Sequence, residues 1–241
     1  MLFVEPPPTP YDLRFKVGSL PVRVHPLFWL VAVMLGINAK DPKLVALWVG
    51  VVFVSILVHE LGHALTARAF GWHPRIVLHT FGGLAIYQPT YRSRAKQMMV
   101  TAAGPLAGFL LAAFIVVALV ASHHTTTFFG LEVGNGKNIS NPYLYFLVSQ
   151  ALWLNVVWGL VNCLPILPLD GGQFAREILT GVNPRNGLLW TFQLSMLVAA
   201  LVAVAGVMFR QDFFLALFFG YLAYSSYLGM NALQGDRHGG W

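Results

Sequence analysis

Six apolar runs, separated by short polar segments, dominate the pattern of the chain. A helix rises about 1.5 Å per residue and the hydrocarbon core of a bilayer is about 30 Å thick, so the last five runs are long enough to cross it and the first is short. The pattern therefore predicts an all-α polytopic membrane protein with about six transmembrane helices. The predicted spans are residues 27–38, 44–70, 98–121, 142–164, 188–209 and 213–230.

Two segments outside the spans have strand-like patterns. Apolar and basic residues alternate in residues 13–17 and again in 22–24, with Gly18 and Ser19 between them, which predicts a small N-terminal β-hairpin at the membrane surface. Residues 75–87 are too short and too β-branched to span. We expect them to form a strand or re-entrant loop that returns near the second span. A loop lying on the lipid headgroups is the alternative interpretation.

These elements predict one integral-membrane domain over residues 1–241. Residues 1–25 are its tail and hairpin, residues 26–230 its six-span core, and residues 231–241 a flexible tail. Residues 122–141 read as a polar connection between the third and fourth spans.

Composition agrees with a membrane location. Hydrophobic residues make up 57% of the chain and charged residues only 10%, whereas an ordinary globular chain is about a quarter charged. The net charge of +6 is spread over short loops and forms no continuous basic stripe, so the expected partner is the lipid bilayer and not nucleic acid. With six spans, most basic residues fall on the side of both termini, which predicts a multi-pass cell-membrane protein with cytoplasmic termini.

The second run contains the candidate chemistry. His59 and His63 are four residues apart, so on a helix they share a face where two imidazoles can bind one metal ion. Glu60 lies beside them as a candidate proton acceptor. Ionisable groups inside a span are costly and usually functional. The single cysteine, Cys163, excludes an internal disulfide and a cysteine-based zinc knuckle.

A carboxylate follows the fourth span. Asp170 lies just past the broken end of that span, on a glycine-flanked turn. The second and fourth predicted spans run in the same direction, so Asp170 approaches the membrane face nearest the two histidines, which is the cytoplasmic face. Two histidines and one carboxylate make a three-ligand catalytic zinc site with a fourth position for water.

These motifs resemble those of the site-2 protease family of zinc-dependent intramembrane metalloproteases. One matching motif is His59-Glu60-Leu61-Gly62-His63, and the other is NCLPILPLDG at residues 162–171. Supporting likenesses are VRVHP at residues 22–26, Phe81-Gly82-Gly83 and Ala103-Gly104-Pro105. Many members carry a PDZ domain or paired CBS modules, and we expect neither here, as in the compact prokaryotic type.

The resemblance implies a role for each matching residue. His59, His63 and Asp170 would bind one Zn²⁺ per chain, and Glu60 would activate water. Asn162 would help to hold the substrate or intermediate. The Phe81-Gly82-Gly83 segment would bind an unwound substrate strand by β-addition. The implied activity is hydrolysis of peptide bonds within or near transmembrane segments of other membrane proteins, known as regulated intramembrane proteolysis.

Two other functions are compatible with the same residues. A non-catalytic zinc-binding membrane relative would keep the histidines without turnover. A metal transporter would be expected to have ligands along several spans, whereas here they form one cluster. The membrane zinc proteases that cut prenylated proteins need a downstream glutamate with a histidine four residues later, which neither Glu132 nor Glu177 has. Substrate identity and oligomeric state are not indicated by the sequence.

Overall fold

The computed structural model describes residues 5–80, 82–89, 93–210 and 213–238, and within these ranges the chain is mostly helical. Helices α1 to α4 are Pro26–Gly36, Pro42–Ala69, Arg94–Ala121 and Pro142–Trp153. Helix α4 continues through a π-helical segment, Leu154–Trp158, into α5, Gly159–Asn162. Helices α6 to α8 are Asp170–Val182, Gly187–Ala205 and Phe213–His238. The strands are β1 Leu13–Val17, β2 Leu20–Val24, β3 Arg75–His79, β4 Gly82–Ile86, β5 His124–Phe128, β6 Leu131–Gly134 and β7 Lys137–Asn138.

The predicted membrane helices are confirmed. Five helical stretches in the described ranges are long and apolar enough to cross a bilayer: Pro42–Ala69, Arg94–Ala121, Pro142–Asn162, Gly187–Met208 and Phe213–Gly235. The first predicted span is also an apolar helix, Pro26–Ala39 with its final 3₁₀ turn, but it is shorter, about 21 Å at 1.5 Å per residue. The chain is therefore a multi-pass membrane protein. The last helix extends past residue 230, where the predicted span ended.

Three helices begin with the same local signal, a polar capping residue followed by proline. The Nδ1 atom of His25 accepts from the Leu27 N–H, Asp41 accepts from Lys43 N–H, and Asn141 accepts from two backbone N–H groups. Proline fits the first helical position because its missing N–H would have no partner there. Polar caps thus fix where α1, α2 and α4 start.

The N-terminal hairpin and the segment after α2 form one four-stranded sheet, in the order β1-β2-β3-β4. Both predicted strand regions are confirmed. Their pairing with each other was not predicted: β2 and β3 run parallel, with Val22 opposite Ile76 and Val24 opposite Leu78. These four side chains are buried and pack with Phe28 in the core formed with α1 and α2. The sheet is therefore attached to α2, the helix that carries the candidate chemistry.

The connection between α3 and α4 is more ordered than the sequence suggested. It contains a second small sheet, in the order β6-β5-β7. The Thr126 hydroxyl lies 2.8 Å from the Ser149 hydroxyl of α4, which ties this sheet to the helix. The polar composition of this segment indicated a loop, but threonine is also common in strands.

The chain divides into two compact units. The first contains both sheets, α1, α2, the part of α3 from Ala103 onward, α4, the π-helical segment and the start of α5 as far as Leu160. The second contains the first turns of α3 together with α6, α7 and α8. In the second unit α7 and α8 pack closely, since a β-carbon at Gly229 would meet the ring of Phe192.

A buried carboxylate fastens the N-terminal segment to the sheet. Asp12 accepts hydrogen bonds from the Thr9 N–H at 3.0 Å, the Thr9 hydroxyl at 2.7 Å and the Arg23 guanidinium at 3.1 Å. Burial alone raises the pKa of Asp12, but the Thr9 hydrogen bonds and the charge and hydrogen bond of Arg23 outweigh it and lower the pKa to about 2.

This depressed pKa predicts a pH dependence of stability. A carboxyl group whose pKa is lower in the folded state contributes fully above its unfolded value of 3.8, and its contribution is lost as the pH falls to about 2. We expect the unfolding temperature of the wild type to exceed that of Asp12→Asn above about pH 5 and the difference to vanish near pH 2. Thermal unfolding in detergent at several pH values measures this. A difference that persists unchanged at pH 2 would contradict it.

Candidate metal centre

His59, Glu60 and His63 form a buried cluster on α2. Their exposed fractions are 7%, 5% and 7%, and their candidate ligand atoms all lie within 4.8 Å of one another. The Nε2 atoms of the two histidines are 3.2 Å apart. The four-residue spacing predicted from the sequence therefore does bring the two imidazoles together on one face of a helix.

The cluster fits a zinc ion. Two imidazole nitrogens that each lie 2.0–2.1 Å from a tetrahedral zinc are roughly 3.3 to 3.4 Å apart, close to the distance between the two Nε2 atoms. Two neutral imidazoles can share a hydrogen bond at the same distance when no metal is bound.

Helix α3 approaches the cluster through small residues. A β-carbon at Gly104 would overlap the imidazole ring of His63, and one at Gly62 would overlap the main-chain carbonyl of Ala103. Small residues such as these permit close approach between membrane helices. The structure places Gly104 directly against a candidate metal ligand, so this part of α3 forms one wall of the centre.

Strand β4 approaches from another direction. A β-carbon at Gly83 would overlap the carboxyl group of Glu60, whereas one at Gly82 would have no atom within 4 Å. The segment after α2 therefore does return to the site, as the sequence predicted. Strand β4 is the last strand in the order of its sheet. Phe81, the first residue of the predicted substrate-binding segment, lies outside the described residues.

A polar pair lies one turn from His59. Ser55 is four residues earlier on α2, and its hydroxyl accepts a 2.8 Å hydrogen bond from Asn155 in the π-helical segment after α4. Asn155 is 3% exposed and also donates to the Ala151 carbonyl. Asn155 therefore faces the protein interior. Sequence reasoning did not identify Ser55 as its partner, because the two residues are 100 positions apart.

The remaining predicted site residues belong to the second unit. Asn162 is buried, with 7% exposure, at the end of α5. Asp170 is the first residue of α6, and its Oδ2 atom is buried. A β-carbon at Gly171 or Gly172 would overlap the backbone of Cys163 or Ile166, so these glycines let α6 begin tightly against the preceding turn.

Known proteins resemble this chain in sequence and in fold. Residues 47–206 match the profile of peptidase family M50. Zinc metalloprotease MJ0392 of Methanocaldococcus jannaschii is 31% identical over 174 residues, which are 70% of this chain and 46% of that protein. Stage IV sporulation protein FB of Bacillus subtilis is 31% identical over 157 residues, which are 64% of this chain and 46% of that protein. The chain thus spans about half the length of these two relatives.

A solved structure is also similar. The site-2 protease from Methanocaldococcus jannaschii matches with a TM-score of 0.57 at 24% identity. The match covers 91% of this chain and 95% of that one. At this level of identity the likeness establishes a shared fold.

The contact between Gly104 and His63 generates a prediction with a matched control. In Gly104→Ala the methyl group would displace the His63 ring, so we expect metal affinity to fall by about tenfold to a hundredfold. Gly108→Ala, one turn later on α3, meets Asn155 only at 3.5–3.6 Å, an ordinary contact, and should bind metal like the wild type. Zinc affinity by chelator competition measures both. Equal affinities in the two variants would contradict the close contact.

Proposed function

Because the chain belongs to peptidase family M50, we propose that it is an intramembrane zinc metalloendopeptidase that hydrolyses peptide bonds within or near transmembrane segments of other membrane proteins. The observation that carries this proposal is the buried cluster of two histidines and a glutamate in a helix of membrane length. Ionisable side chains inside a membrane helix are costly, and zinc-dependent hydrolases use this spacing of two histidines and a glutamate.

His59, His63 and Asp170 would hold one zinc ion per chain. The distance between the two imidazoles fits such an ion. Asp170 is the first residue of α6, and a carboxylate there would complete a three-ligand site with the two histidines. A bound zinc ion supplies Lewis-acid activation of water and of a peptide carbonyl.

Glu60 would act as the general base and acid. Its carboxylate would take a proton from the attacking water and pass it to the leaving amine. Its neighbour Gly83 leaves no room for a side chain beside the carboxyl group, so β4 limits the positions that Glu60 can adopt. Asn162, also buried, would donate a side-chain hydrogen bond to the substrate or intermediate.

Strand β4 would bind the substrate. A helical substrate conceals its peptide bonds in backbone hydrogen bonds, so it must be unwound locally before hydrolysis. An unwound strand can add to the outer edge of β4, beside Glu60, with Phe81, Gly82 and Gly83 as the contact segment. Both termini would be cytoplasmic and the site nearer that face, as the distribution of basic residues indicates.

Metal content and turnover test this proposal together. We expect about one zinc per wild-type chain, with zinc lost in His59→Ala and sharply reduced in Asp170→Ala. Glu60→Gln should keep zinc and lose cleavage, because the amide cannot accept the proton. The measurements are elemental analysis of purified protein and mass spectrometry of new N-termini in membranes from cells making wild type or Glu60→Gln.

Each contrary outcome has a separate meaning. Wild-type levels of zinc in Asp170→Ala would remove the carboxylate from the ligand set. Zinc in the wild type without any new N-termini that Glu60→Gln lacks would favour the non-catalytic relative or the transporter. Cleavage by Glu60→Gln with zinc bound would show that another group is the base.

The contact between Gly83 and Glu60 provides a second test. In Gly83→Ala the methyl group would push the Glu60 carboxyl group aside, and we expect cleavage to fall by about tenfold to a hundredfold with zinc retained. Gly50→Ala, ten residues before Glu60 on α2, has open space and should stay close to wild type. Cleavage rates in reconstituted membranes check this. Equal cleavage rates in both variants would show that β4 does not position Glu60.

A further inference from the structure

The turn that precedes Asp170 is bound by a side chain from α7, which in turn contacts a side chain from α8. The backbone N–H of Leu167 donates a 2.8 Å hydrogen bond to the hydroxyl of Ser195 on α7. That hydroxyl lies 2.7 Å from the hydroxyl of Ser226 on α8. Ser195 has no exposed surface and Ser226 is 2% exposed. The described contacts thus form a chain from α8 through α7 to the turn.

Few backbone N–H groups are available to stabilise the turn. Pro165 and Pro168 have no N–H, and the amides of Ile166 and Leu169 bond to carbonyls within the turn or just before it. Leu167 N–H is therefore the turn amide that reaches another helix. Its partner determines how the turn lies against α7.

The hydroxyl of Ser195 bonds to groups outside its own helix. Serine and threonine inside helices commonly bond to the carbonyl four residues earlier. Thr191, one turn before Ser195 and equally buried, does this with the Gly187 carbonyl at 2.7 Å. The hydroxyl of Ser195 instead contacts the turn and Ser226. Buried polar groups in a membrane protein need such partners, so the arrangement is stable only with both present.

Backbone hydrogen bonds and close packing join the turn to the start of α6. The Gln173 N–H donates to the Leu169 carbonyl, and the Leu169 N–H donates to the Ile166 carbonyl. Gly171 and Gly172 pack against the backbone of the turn without space for a side chain. A displacement at Leu167 would therefore also displace Asp170.

We propose that Ser195, supported by Ser226, is a positioning residue that fixes the Asp170 turn for metal binding. The inference rests on the proposed role of Asp170 as a zinc ligand. Ser195 touches neither metal nor substrate; it acts through the Leu167 amide.

The test compares Ser195→Ala with Thr191→Val in the 241-residue chain. Both variants remove a fully buried hydroxyl from α7, but only the first removes the bond to the turn. We expect zinc affinity, measured by chelator competition, to fall about tenfold in Ser195→Ala and to stay at the wild-type level in Thr191→Val. Ser226→Ala should give an intermediate loss, and Ser195→Thr, which keeps the hydroxyl, should restore most of the affinity.

Hydrogen exchange gives a readout that needs no bound metal. In the zinc-free protein, the Leu167 amide should exchange faster in Ser195→Ala than in the wild type, and at the wild-type rate in Thr191→Val. Pro165 and Pro168 have no amide hydrogen, so exchange measured on a peptide fragment that spans the turn reports on few positions besides Leu167.

The outcomes separate this inference from the proposed function. A wild type without zinc would overturn the proposed function and this inference with it. Zinc bound normally by the wild type and equally tightly by Ser195→Ala and Ser226→Ala would overturn the positioning role alone. Equal losses in Ser195→Ala and Thr191→Val would also overturn it, because general damage to α7 would then explain both.

Discussion

Burying ionisable side chains in a membrane helix is the constraint on which the rest of this structure depends. Two imidazoles and a carboxylate on α2 cannot face lipid, so other parts of the protein must surround them. Ordinary side chains on the neighbouring elements would leave no room for the rings and the carboxyl group. Glycine therefore stands at both contacts, Gly104 against His63 and Gly83 against Glu60.

The same constraint explains why a sheet accompanies the helices. Strand β4 brings bare backbone to Glu60, but two strands alone are marginally stable. Parallel pairing of β2 with β3 joins the N-terminal hairpin to this pair and gives the sheet a buried face against α1 and α2. The charged segment before β1, held by Arg23, thus contributes indirectly to the wall of the centre.

Local patterns in the sequence predicted the helices, the strand regions and the histidine pair, because each depends on residues within a few positions. The predicted second span, residues 44–70, agrees closely with α2, and the spacing of His59 and His63 needs only a helix. Contacts between distant segments were not predictable: β2 with β3, Ser55 with Asn155, and Ser195 with Ser226. Their side chains are common in membrane helices and strands, so composition gave no signal for the partner.

The proposed ligands differ in how their positions are determined. The separation of His59 and His63 follows from a single helix, whose backbone hydrogen bonds hold both residues whatever surrounds them. Asp170 follows a turn that contains two prolines, and a side-chain hydroxyl from α7 supplies the hydrogen bond that a regular helix would supply itself. Substitutions far from α2 should therefore affect the histidines mainly through steric overlap, as at Gly104. Asp170 depends on hydrogen bonding, so loss of a single hydroxyl from α7 can alter its position without any change in packing volume near the histidines.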